Sequence, residues 1–115
     1  MTSVFDMAGA LERVEGDSEL LDDLARIYVK ESSELSVAIS QAMEKNDIIA
    51  ATRVAHTIKG ASSNFCAQAI FDAAWHFEQL KPSNSPEEIA LAYRTLLQEL
   101  ERLSQAIRQE FHLRQ

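Results

Sequence analysis

The sequence predicts an all-α protein, an antiparallel four-helix bundle with a short additional N-terminal helix. Three observations carry that expectation. The apolar residues recur at spacings of three and four along most of the chain, the period of a helix packed on one face. No stretch alternates apolar and polar residues as a half-buried strand does. With three glycines and two prolines in 115 residues, the chain is short of the turn residues an all-β fold requires. A chain of this length is expected to make a single domain over residues 1–115, and 46% apolar content is enough for a core.

Asp6 caps a first helix from Met7 to Val14, with Ala10, Leu11 and Val14 as its apolar stripe, and Glu15-Gly16-Asp17 ends it. Asp17 caps a long second helix from Ser18 to Lys45. Its stripe is Leu20, Leu21, Leu24, Ile27, Tyr28, Leu35, Ala38, Ile39, Ala42 and Met43, with the polar run Lys30 to Glu34 as a place to kink. Asn46-Asp47 is a turn and a cap before a third helix, Ile48 to Asn64. A fourth runs from Ala67 to Lys81, with Ile70, Ala73, Ala74, Phe77 and Leu80 inward. Ser85-Pro86-Glu87-Glu88 is the clearest start, an N-cap serine, a proline at the first helical position and a capping-box glutamate. The last helix then runs to Phe111. Short connections between long amphipathic helices make neighbours antiparallel, with the first helix as a lid.

The formal charge of −7 excludes nucleic acid as the main partner, which demands a basic stripe, and also an anionic membrane surface. No apolar run approaches the roughly 20 residues of a membrane span, and the N-terminus lacks the pattern of a signal peptide. Cys66 stands alone, so no internal disulfide can form and a reducing compartment is expected. The expectation is a cytoplasmic, monomeric protein, or a module of a longer one.

The informative stretch is His56-Thr57-Ile58-Lys59-Gly60-Ala61-Ser62-Ser63-Asn64-Phe65. At about 100° per residue with His56 as zero, Val54, Ile58, Ala61 and Phe65 fall between about 140° and 200°, and Ala51, Ala55 and Ser62 between about 220° and 260°. They form the core stripe. Thr52, Arg53, Lys59, Gly60 and Ser63 lie within about 60° of the histidine, on the solvent face. A lone exposed histidine on a helix is ordinarily a solvated residue. Gly60 weighs against that, because glycine in a helix interior costs about 1 kcal/mol relative to alanine. A helix that keeps one beside an exposed imidazole leaves room for something to approach. Imidazole, ammonium and bare backbone in one patch suit a nucleophile that takes up a phosphoryl group.

The run from Ala55 to Ala67 resembles the signature of the histidine-containing phosphotransfer (HPt) domains of two-component phosphorelays, His-x-x-Lys-Gly followed by small residues. Phe5-Asp6-Met7, the Gly16-Asp17 break, the long second helix and the Asn46-Asp47 turn extend the likeness over about Val4 to Ile107. The resemblance implies a helical bundle in which His56 accepts a phosphoryl group from one receiver aspartate and passes it to another. Lys59 would then sit beside the phosphoryl charge and Gly60 would give clearance. Arg53 is a possible second cation, and Ser63 either a hydrogen-bond donor or a solvated hydroxyl. It implies response-regulator receiver domains and a hybrid sensor histidine kinase as partners. It also implies a phosphocarrier rather than an enzyme, with no cofactor on this chain and Mg²⁺ in the partner receiver. No glycine-rich phosphate loop is present to bind ATP. Cys66 departs from the family, which usually has glycine there, and a packed structural thiol is expected in its place.

Phe71 and Trp75, an i, i+4 pair off the core stripe of the fourth helix, are either interface anchors or covered by the first helix or the bundle edge. Ile49, on the His56 face two turns earlier, is a further docking candidate. His76 and His112 lack the lysine-glycine context, and the histidine spacing gives no metal site. Two other readings stay open: a helical adaptor that binds receivers or kinases without being phosphorylated, and an oligomerisation bundle built around Phe71 and Trp75.

Overall fold

The computed structural model describes residues 4–113 and consists there of five helices: α1 (Met7–Arg13), α2 (Ser18–Glu44), α3 (Ile48–Ser63), α4 (Gln68–Glu78) and α5 (Pro86–Glu110). The outer ends of the expected 1–115 domain lie outside the described residues. Each long helix packs on the next, and α5 closes on α2, so the four form a ring of neighbours around one core. The molecule measures 44 × 25 × 23 Å. Its long dimension is that of α2, which spans about 40 Å at 1.5 Å per residue.

The caps act as the sequence suggests. The side chains of Asp6, Asp17 and Asp47 accept from the backbone N–H of Gly9, Leu20 and Ala50, each at 3.0 Å. At α5 the capping box is complete: Glu88 N donates to Ser85 Oγ at 3.1 Å, and Ser85 N donates back to the Glu88 carboxylate. Hydrogen bonds from Ser85 hold the Glu88 carboxyl below the usual carboxylate range. Helix ends fall short of expectation by one residue at Val14, Lys45, Asn64 and Phe111, which are C-caps. The fourth helix departs further. Ala67 caps it without a side-chain bond and it stops at Glu78, so Gln79 to Lys81 already belong to the connection.

As expected, α2 runs as one helix through Lys30 to Glu34, where Ser32 is buried in the seam. One expectation about it is corrected. Its buried seam is Leu21, Ala25, Tyr28, Ser32, Ile39 and Ala42, which leaves Leu20 and Ile27 at the surface. The apolar stripe is wider than the contact it makes.

The lid is also different. Among the helices α1 packs only on α2, and the residue that closes the bundle end is Phe5. Its ring lies edge-on to Phe65 at 6.0 Å and stacked on Phe111 at 6.3 Å, and Tyr28 packs on Phe65 at 5.5 Å. Asp6 N donates to Phe65 O at 3.1 Å and ties this segment to the end of α3. The aromatic group thus holds the base of the helix that carries His56.

Candidate functional site

Helix α3 is fixed from below. Ala51, Ala55 and Ile58 are wholly buried, and so is Ser62, whose hydroxyl lies 3.2 Å from that of Tyr28 on α2. Burial pushes the Tyr28 phenol up to about 12 against the opposing effect of its bond to Ser62. A polar pair satisfied inside the core fixes the register of α3 on α2. The opposite face of α3 stands in solvent, and the His56 side chain is 71% exposed.

The imidazole does not stand alone. Glu78, the last residue of α4, reaches across with its carboxylate, and Oε1 accepts a hydrogen bond from His56 Nδ1. A carboxylate only accepts, so Nδ1 carries a proton, and in the neutral ring Nε2 is the nitrogen with the free lone pair. The second oxygen, Oε2, lies 2.6 Å from Lys59 Nζ, a charge–charge contact rather than an aligned hydrogen bond. Partial burial works to raise the Glu78 carboxyl. The close Lys59 ammonium and the His56 N–H outweigh it and hold the group below its ordinary value. Sequence reasoning missed Glu78. Its only sequence signal is its place on the flank of α4 that also holds Phe71, and helical periodicity does not say which neighbouring helix that flank meets.

Lys59 is corrected by the same geometry. It was expected on the open face with His56, yet its side chain is only 20% exposed. Its ammonium lies 5.8 Å from the centroid of the Phe71 ring as well as beside Glu78. Phe71 is accordingly half-buried and serves as the floor under Lys59. Trp75 and Ile49 are the exposed apolar residues of the docking set, at 52% and 54%. Neither the first helix nor the bundle edge covers Trp75.

On the other flank lies Gly60. A Cβ placed there meets no atom within 4 Å, so nothing inside the chain demands a glycine. Beside it a groove of about 230 Å³ runs between α3 and α2, lined by Thr57, Gly60 and Ala61 and by Leu24, Ile27 and Glu31. Arg53 is exposed one turn before His56, and no carboxylate pairs with it among the described residues. The Ser63 hydroxyl donates to Gly60 O at 2.7 Å, so its proton is engaged by the helix backbone.

Cys66 is exposed, not packed. Its φ is +51°, the left-handed region where a residue without Cβ is favoured. Its backbone N–H closes the end of α3 on Ser63 O at 3.1 Å. His76 and His112 are exposed and distant in role from the Glu78 clamp. Among the described residues no group of three or more histidine, cysteine or acidic side chains is placed to hold a metal ion, and no helix is long and apolar enough to cross a membrane.

Comparison with curated proteins and with solved structures gives no match. The family model described as Hpt domain matches residues 23–106, which takes in all of α3 and α4 and most of α2 and α5. That family consists of helical phosphocarriers, not kinases, which work with receiver domains and histidine kinases in two-component signalling. An exposed imidazole clamped at one nitrogen on the middle helix of a four-helix bundle, within a match covering most of the chain, places this protein in the Hpt domain family.

Proposed function

We propose that His56 is the phosphoryl carrier of this domain and that Nε2 is the atom phosphorylated. The observation that supports this best is the division of the ring. Nδ1 is held by Glu78, and Nε2 faces solvent with a lone pair. In the proposed step the Nε2 lone pair attacks the phosphorus of a receiver aspartyl phosphate. The P–Nε2 bond forms as the P–O bond to the aspartate breaks, and the aspartate leaves as a carboxylate. The imidazole, still protonated at Nδ1, then carries positive charge, and the Glu78 carboxylate offsets it. The reverse step delivers the group to a second receiver.

Phosphoryl transfer proceeds through a loose transition state, so positioning and charge do most of the work. Lys59 supplies charge beside the ring, and Glu78 keeps the ammonium in place between transfers. Arg53, exposed on the same face, is the second cation available to the phosphoryl oxygens. Gly60 lets the partner's backbone come close to α3. Mg²⁺ belongs to the partner receiver in this scheme and supplies charge neutralisation at its acidic pocket. Ile49 and Trp75 are the exposed apolar contacts offered to that partner, with Ile27 on the Gly60 groove.

The test is direct. The protein is mixed with a panel of receivers carrying labelled aspartyl phosphate. Wild type is expected to take up acid-labile label, and His56→Ala none. Binding of receivers by both proteins with label on neither would select the adaptor reading and remove this one.

A further inference from the structure

Three of the eleven lysines and arginines of this acidic chain, Arg26, Lys30 and Arg108, line one groove away from His56. Arg26, Val29, Lys30 and Ser33 follow one another at i, i+3, i+4 and i+7 on α2, so they share one face. Tyr28 on the same helix bonds to Ser62 of α3, whereas this face turns to the end of α5. There a groove of about 600 Å³ is lined by Arg26, Lys30, Arg108 and His112, with Glu34 its one carboxylate. The chain reverses beyond α5. His112 takes φ +56°, and Leu113 N donates to Arg108 O at 2.8 Å, which folds Leu113 back to join Val29 as the apolar part of the lining.

Arg108 is the informative residue. A cation in the last turn of a helix is expected from the helix dipole. The dipole does not explain the burial of its Nε, which is shut off from water and has no hydrogen-bond partner among the described residues. Nor does any carboxylate there come within ion-pair distance of Arg108 or Lys30, and Arg26 touches only the exposed Asp23, at 3.4 Å. Arg108 is half-buried at the groove wall, with this one donor unmet, and native structures rarely leave a buried donor without a partner. A guanidinium is the group suited to gripping a carboxylate or phosphate through two parallel N–H bonds. The groove lies in the size range of small-molecule sites, roughly 300–1,000 Å³.

We propose that this groove binds a small amphiphilic anion, a carboxylate or phosphate head on a short apolar body. Arg108 takes the head through the terminal N–H groups of its guanidinium, Lys30 supplies the second charge, and Val29 and Leu113 receive the body. The site contains no residue of α3 or α4 and stands independently of the phosphocarrier reading.

The full chain is titrated with octanoate, with inorganic phosphate as a head-only probe, and followed by NMR at the Arg108 Nε–H and the Leu113 amide. Octanoate is expected to shift both signals to saturation and to bind about tenfold or more tightly than phosphate, since only it fills the apolar part. Arg108→Gln and Lys30→Gln are each expected to weaken octanoate by about tenfold, the scale of one charged hydrogen bond. Lys30 is exposed, so its variant keeps the test alive if Arg108→Gln does not fold. No saturable shift at Arg108, equal affinity for phosphate, or undiminished binding by Lys30→Gln would overturn the proposal.

Discussion

Glu78 holds two groups of α3 with one carboxylate, and the consequences are local. Because His56 and Lys59 keep its carboxyl low, it is charged throughout the physiological range. A group whose folded value is depressed contributes stability above its unfolded value and loses that contribution as the pH falls through the folded one. The clamp should therefore open at a lower pH than that at which an ordinary glutamate titrates, which imidazole ¹⁵N shifts of His56 will follow. Glu78→Ala is expected to slow phosphoryl transfer about tenfold, the scale of one charged hydrogen bond. Glu78→Gln should fall between, since it keeps an acceptor for Nδ1–H and loses the charge. Initial rates with a labelled receiver check both. Gly60 invites the opposite trade. With open space around it, Gly60→Ala should stabilise the fold by up to about 1 kcal/mol and yet slow transfer. Thermal melts and transfer rates read the two effects separately, and an unchanged rate would mean that nothing approaches the helix there.

At the scale of elements, the caps matter because they set where α3 and α5 begin. Ser85→Ala removes one half of the capping box and is expected to cost about 1 kcal/mol of stability. Urea denaturation measures it, and transfer through His56 should be untouched, since α5 contributes no residue to the Glu78 clamp. The helix starts were legible because a capping aspartate or serine declares itself over four residues. The early end of α4 was not. Gln79 and Leu80 are compatible with helix, and what stops it is the connection to α5, where Lys81 N donates to Asn84 Oδ1 at 2.7 Å. Cys66 lies between these cases. The usual glycine marked the position as special, and only the backbone angle of +51° shows that the specialty is a left-handed turn rather than a need for packing space.

For the molecule as a whole, the buried Tyr28–Ser62 pair ties α2 to α3 and makes stability depend on alkaline pH. A phenol raised in the folded state contributes stability that is complete below its unfolded value, about 10, and is lost as the pH rises through the folded value of about 12. The loss across that interval is on the order of 2–3 kcal/mol. Alkaline denaturation of wild type against Tyr28→Phe checks this, because the variant should lose the steep fall above pH 10 while starting lower by about 1 kcal/mol for the unpaired Ser62.

The amino-acid order by itself determined the helical class, the caps, the inward face of α3 and the outward direction of His56, because these follow from spacing along a single helix. Which side chains of different helices meet was decided only by packing. Glu78 against His56 and Lys59, Phe71 beneath Lys59, and Lys30 on one groove with Arg108 bring together residues 12 to 78 positions apart. Periodicity reports the direction a residue faces around its own axis. It carries no information on the rotation and offset of the neighbouring helix, which the fit of the whole core sets.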